Sequence, residues 1–253
     1  MPIVLFFLAA FSFLACSSTD SEAVPSPAPQ DTQDIVGGRS DRGHDPAVVA
    51  LLLGEEGLCT GSLIAPSLVL TARHCVSQTS EEVSCPAHGS QVLGDRDPES
   101  ITVLVGDSIS TAKAVARGAR LRLLPGRTLC DHDAALIELD RPVEGVTPLV
   151  VDRSAGPGEG DLLRAVGFGL RGDNQDTAGK KYAKSHLAIV SGSKAEFTVS
   201  EATCNGDSGG PAIDEKSGKI VGIVSRGGPS CVGDHVENIY TRPSVLANLL
   251  PGG

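Results

Sequence analysis

The chain has 253 residues, enough for one large or two small domains with a sizeable core. Its formal net charge of −10 leaves no electrostatic case for binding nucleic acid. With 40% hydrophobic residues, 30 glycines and no tryptophan, the composition is that of an ordinary globular protein with many short strands and turns.

Ile3 to Ala15 is apolar apart from Ser12. It is too short for a comfortable membrane span and reads as the core of a signal peptide, although no Lys or Arg precedes it. The run ends in Phe13-Leu14-Ala15-Cys16-Ser17-Ser18, which resembles the lipobox of bacterial lipoproteins. That resemblance implies a lipid on Cys16, which would become the mature N-terminus and attach the protein to a membrane. An ordinary secretory signal cut nearby is the alternative. Residues 1–16 are therefore expected to be a signal peptide with a lipobox-like end. Residues 17–34, rich in Ser, Pro, Asp and Gln, are expected to be a disordered linker or propeptide, too poor in apolar surface to order itself.

From Ile35 the character changes. Short β-like runs follow one another over Val48–Leu53, Gly61–Ile64, Leu68–Thr71, Ile101–Val105, Ala119–Leu124 and Ala134–Leu139. They continue over Leu162–Phe168, His186–Val190, Glu196–Val199, Ile220–Ser225 and Asn238–Tyr240. Clusters of Gly, Pro, Asp or Ser separate many of them, which predicts an all-β barrel or sandwich. Only Ser244–Leu250 reads as a short helix. No internal repeat is visible, and Pro142 to Pro157 is a plausible crossing between two halves.

Three stretches carry chemistry. The first is Leu70-Thr71-Ala72-Arg73-His74-Cys75, the second Asp131-His132-Asp133-Ala134-Ala135-Leu136-Ile137, and the third Cys204-Asn205-Gly206-Asp207-Ser208-Gly209-Gly210-Pro211. A Ser in a Gly-rich turn can stand exposed while neighbouring backbone amides converge on one point, as a nucleophile with an oxyanion hole requires. A Ser hydroxyl needs a base to take its proton, a His can serve, and an acid must hold that His in the right tautomer. The chain supplies His, Asp and Ser in that order.

Together with Ile35-Val36-Gly37-Gly38, these motifs identify the sequence as resembling the trypsin- and chymotrypsin-like serine proteases, from Ile35 to about Leu250. The resemblance implies two six-stranded antiparallel Greek-key β-barrels, roughly 35–145 and 146–253, with the active site between them and a short C-terminal helix. It implies a serine endopeptidase in which His74 is the general base, Asp133 its orienting acid and Ser208 the nucleophile. Asp133 is preferred to Asp131 because the apolar run starts directly after it. The N–H groups of Gly206 and Ser208 would form the oxyanion hole. Ala202, Ser225, Gly227 and Asn238 would contact substrate and form an uncharged primary pocket, with Glu237 entering it if the alignment slips by one residue. Arg226 stands where the family usually has Trp. Cleavage before Ile35 would activate a zymogen, the new ammonium pairing with Asp207. Asp34 precedes that bond where the family usually has Arg or Lys.

The seven cysteines, Cys16, Cys59, Cys75, Cys85, Cys130, Cys204 and Cys231, leave three pairs once Cys16 is set aside, which suits an oxidising compartment. Cys59–Cys75 and Cys204–Cys231 match bridges of the family. Cys85–Cys130 matches no common one and is the remaining pair, although six cysteines admit many pairings. The implied partners are protein or peptide substrates and an activating protease, with no cofactor and no metal ligand set that can be mapped. The protein is expected to be monomeric and extracytoplasmic, either secreted or lipid-anchored to a bacterial membrane. The alternative function is a catalytically silent surface binding protein on a protease fold.

Overall fold

Both faces of Val48–Leu53 are apolar, and both are buried. Val49, Leu51 and Leu53 enter one core, while Val48 and Ala50 pack with Leu104, Val166, Phe168 and Ile213 in a second cluster. This strand therefore lies between two layers, which explains its unbroken hydrophobic run. The computed structural model describes Met1 and residues 35–55, 57–80, 83–154, 156–173, 178–228, 230–233 and 236–251. The chain divides into a leading unit, Met1–Asp31, of which only Met1 is described, and a body, Thr32–Gly253. Cys16, the signal segment and the linker lie outside the described residues.

The body is built from strands. In chain order they are β1 (Arg39–Ser40), β2 (Val48–Leu53), β3 (Gly57–Ala65), β4 (Leu68–Thr71), β5 (Ser77–Thr79), β6 (Val92–Asp95), β7 (Ile101–Val105), β8 (Lys113–Leu123) and β9 (Ala135–Leu139). They continue as β10 (Leu162–Gly167), β11 (Tyr182–Gly192), β12 (Glu196–Val199), β13 (Pro211–Asp214), β14 (Ile220–Gly227) and β15 (Asn238–Thr241). Strands β2-β3-β4-β9-β8-β7 close one antiparallel barrel. Strands β11-β10-β13-β14-β15-β12 close a second, because β12 pairs back to β11, and β1 adds to the outside of β11. When the six strands of each barrel are numbered in chain order, both run 1-2-3-6-5-4 around the ring. The Greek key is thus repeated although the sequence shows no repeat. The second barrel is filled by Leu163, Leu187, Ile189, Val199 and the stacked rings of Phe197 and Tyr240, with centroids 5.2 Å apart.

The expected C-terminal helix needs correction. One 3-10 turn, Pro243–Leu246, is followed by further tight turns. Pro251 restricts Leu250 and donates no N–H, so a helix cannot extend through it. Leu246 and Leu250 still reach the first barrel's core. Strand β13 was also unanticipated. It is four residues long and opens on Pro211, which a strand tolerates at its first position, and all four residues are buried between β10 and β14.

Candidate active site

Strand β4 ends at Thr71, and a 3-10 turn, His74–Val76, follows. Cys59–Cys75 ties that turn to β3, and Arg73 reaches Asp95 of β6 at 2.6 Å. The segment before β9 returns alongside it. Asp133 Oδ2 lies 2.8 Å from His74 Nδ1, and Asp133 Oδ1 accepts the His74 backbone N–H at 2.9 Å. Ser225 of β14, in the other barrel, donates to Asp133 Oδ2 at 2.6 Å. Asp131, at left-handed φ of 61°, contacts none of these groups through its side chain, so the burial and bonding fall on Asp133.

Burial pushes the Asp133 carboxyl up, but the charge of His74 and the hydrogen bonds from His74 and Ser225 more than reverse this and hold it below its ordinary range. Burial pushes the His74 imidazole down, and Asp133 more than reverses that, leaving it above its ordinary 6.5. The His74 side chain remains 23% exposed and open to a reactant.

The turn carrying Ser208 is gripped from both barrels. Ser208 O accepts from Thr60 N of β3 at 2.8 Å, Gly209 N donates to Val224 O of β14 at 2.8 Å, and Thr60 Oγ1 donates to Gly206 O at 2.9 Å. Gly206 and Gly209 stand at φ of 101° and 80°, and a Cβ on Gly209 would lie 2.1 Å from Thr71 Oγ1. Only glycine fits there. Among the described residues, the N–H groups of Gly206 and Ser208 donate to no protein acceptor. The Cys75 sulfur lies 3.8 Å from His74 Nε2 and 3.6 Å from Ser208 O, so imidazole and serine turn meet at one cystine. Cys75 and Cys204 each lie in a cluster with metal-ligand spacing, but their sulfurs are bonded as Cys59–Cys75 and Cys204–Cys231.

Beside Ser208 opens a cavity of about 220 Å³ lined by Thr203, Ser225, Arg226, Gly227, Cys231 and Asn238 among others. Ala202 does not line it. Ala202 is wholly buried, and its N–H donates to Asn238 Oδ1 at 2.7 Å, as does Thr203 N at 2.8 Å. The Asn238 oxygen is thus committed to the backbone behind the wall. Glu237 is exposed and lies outside the lining.

Asp207 is wholly buried and accepts from Gly169 N at 2.7 Å and Cys204 N at 2.9 Å. Among the described residues it meets no cation, and burial raises its carboxyl to about 7 against these two bonds. Ile35, here an amide within the uncut chain, is also wholly buried, at a φ of 51° that is unusual for a β-branched residue. Lys184, which sequence reasoning passed over, donates to Val36 O and Glu201 O, each at 2.7 Å. It links the segment after Ile35 to the residue before Ala202. Glu196, the bidentate partner of Arg226, was also missed, because 30 residues of chain separate the two.

Two closed barrels with a buried carboxylate, an imidazole and a gripped serine turn at their junction define a chymotrypsin-type serine hydrolase architecture. The trypsin family's sequence profile, described as Trypsin, matches residues 35–250, and the chain belongs to that family as a trypsin-like serine endopeptidase. It is 28% identical to granzyme M of Rattus norvegicus over 246 residues, covering 86% of this chain and 85% of that protein. It is also 28% identical to a trypsin-like protease of Streptomyces glaucescens over 232 residues, covering 84% and 80%, and 30% identical to serine protease SP24D of Anopheles gambiae over 210 residues, covering 76% and 70%.

Proposed function

We propose that Ser208, His74 and Asp133 form the catalytic triad. His74 Nε2 takes the Ser208 proton as Oγ attacks the substrate carbonyl, then gives it to the departing amine, leaving an acyl-enzyme. Water, deprotonated by the same imidazole, attacks the ester and releases Ser208. Asp133 stays ionised and holds the proton on Nδ1. The N–H groups of Gly206 and Ser208 receive the oxyanion. The observation that carries this reading is the Asp133 carboxylate, buried and bonded both to His74 and to Ser225 of the opposite barrel. No cofactor enters the scheme.

The enzyme is made as a zymogen, and hydrolysis of the Asp34–Ile35 bond activates it. The freed Ile35 ammonium pairs with Asp207, a buried carboxyl that meets no other cation among the described residues. Asp34 at the cut calls for an activator unlike trypsin in taste. The primary pocket takes small or medium uncharged side chains, since among the described residues its lining holds no carboxylate to meet a cation. The three cystines suit an extracytoplasmic site. Anchoring through a lipid on Cys16 belongs to the same proposal, as do a monomeric state and a division of the catalytic domain near residue 145.

The test is labelling with a serine-directed phosphonate after cleavage before Ile35. The expected result is stoichiometric label on Ser208 and loss of peptide hydrolysis. A correctly folded, correctly cut protein that takes no label overturns the triad and favours the silent binding protein.

A further inference from the structure

We propose that Glu196 and Arg226 act as one charge-balanced unit that positions Asp133 from the second barrel, a role that rests on the triad reading above. The two residues come from β12 and β14, which are not neighbours, since β15 runs between them. Their side chains meet fork to fork. Arg226 Nη1 donates to Glu196 Oε1 at 2.7 Å and Nη2 to Oε2 at 2.6 Å, with 17% and 15% of the side chains exposed. Bidentate geometry of this kind fixes orientation as well as charge.

The pair touches the acid's surroundings twice. Glu196 Oε1 also accepts the Asp131 N–H at 2.9 Å, which fixes the left-handed residue two positions before Asp133. Arg226 Nη1 lies 3.4 Å from Ser225 Oγ, whose own hydrogen bond goes to Asp133 Oδ2. One contact therefore holds the backbone of the acid's loop and the other backs the hydroxyl that holds its carboxylate. The first contact crosses the junction between barrels directly, and the second lies within β14 and crosses only through the Ser225 bond to Asp133. Arg226 also lines the cavity beside Ser208, so the strut forms part of the substrate wall.

Charge balance makes the arrangement compatible with catalysis. Among the described residues, the charged groups around the centre are His74 and Asp133, Asp131 at the head of the loop, Glu196 from β12 and Arg226 from β14. Arg73, next to His74, is matched by Asp95. Burial works against the Arg226 charge, and Glu196, Asp133 and Asp131 together more than restore it. An unmatched arginine here would compete with His74 for the field of Asp133, and Glu196 cancels that competition. Removing Arg226 alone leaves an extra anion and favours the imidazolium. Removing Glu196 alone leaves an extra cation and disfavours it.

The experiment is the pH profile of kcat/KM for enzyme beginning at Ile35, on one uncharged peptide, normalised by active-site titration. Its variants are Arg226→Met, Glu196→Gln, the double variant and Arg226→Lys. The acid limb is expected to rise by about half a pH unit in Arg226→Met, to fall by a similar amount in Glu196→Gln, and to return to its starting value in the double variant. Both single variants should also lower kcat by about 5- to 30-fold with little change in KM, because the acid's loop loosens. Arg226→Lys keeps the charge and loses the fork, so it should hold the limb while lowering kcat, and it replaces Arg226→Met if that variant does not fold. Limbs that stay fixed, or that move the same way in the two single variants, overturn the proposal even if every rate falls. Failure of the triad reading shows separately, as activity surviving in Ser208→Ala or His74→Ala.

Discussion

Asp133 is ionised because its partners outweigh its burial, and its charge keeps His74 above 6.5. Since the base must be neutral to accept the serine proton, kcat/KM should be lost as pH falls through a value above 6.5 and be restored above it, which a pH–rate profile measures. Ser208→Ala and His74→Ala should each reduce peptide hydrolysis to the contribution of binding and the oxyanion hole, roughly 10³–10⁴ above water. More than about a tenth of the parent kcat in either variant would contradict the assignment. Ser225→Ala removes one of the hydrogen bonds to a buried charge, worth about 1.5–3 kcal/mol. It should therefore slow turnover by roughly 10- to 150-fold without abolishing it.

The cavity beside Ser208 is bounded by β14, the start of β15 and the serine turn, with Cys204–Cys231 among its lining. Asn238, the first residue of β15, spends its oxygen on two backbone N–H groups, and its Nδ2 lies 3.4 Å from Thr203 O. It closes the wall and offers a substrate little beyond bulk. Among the described residues that line this space there is no carboxylate and one cation, Arg226, and an unpaired buried charge costs several kcal/mol. Matched peptides differing only at the residue before the cut should favour Ala, Val, Leu, Thr or Gln over Arg or Lys in kcat/KM. A tenfold preference for Arg would contradict this. The loop before β9 has its own brace in Cys85–Cys130, which spans 45 residues of sequence. Replacing both by Ser should cost about 2–4 kcal/mol in urea unfolding.

On the scale of the whole molecule, the buried Asp207 carboxyl makes the stability of the uncut chain depend on pH. Its folded value of about 7 lies above the ordinary 3.8, so the folded uncut chain holds this proton more tightly than the unfolded chain does. Stability contributed at low pH is therefore lost as pH rises from about 4 through about 7, by up to about 4 kcal/mol. Asp207→Asn in the uncut chain should remove that loss, so that the variant gains on the parent between pH 4.5 and 7.5 in urea titrations. A parallel pH dependence for both proteins would contradict the buried-acid account. Uncut protein should hydrolyse peptides at a small fraction of the rate of protein cut before Ile35.

What the sequence determined by itself is local chemistry. Most strands were legible because short apolar runs stand between turn residues, and the His, Asp and Ser stretches were legible because each needs a particular backbone beside it. The choice of Asp133 over Asp131 followed from the apolar strand that begins next to it. Tertiary structure decided what depends on residues distant in the chain. Strand β13 was hidden because four residues opening on a proline carry no period of their own, and only pairing with β10 and β14 makes them a strand. The C-terminal turn read as a helix because its leucines have helical spacing, which the first barrel's core uses without requiring a helix. The Cys85–Cys130 connection, the commitment of the Asn238 oxygen and the Glu196–Arg226 fork all join groups whose proximity no local pattern encodes. Closure of each barrel creates these contacts, the first within residues 85–130 and the other two within the second barrel, by bringing together groups far apart in the chain.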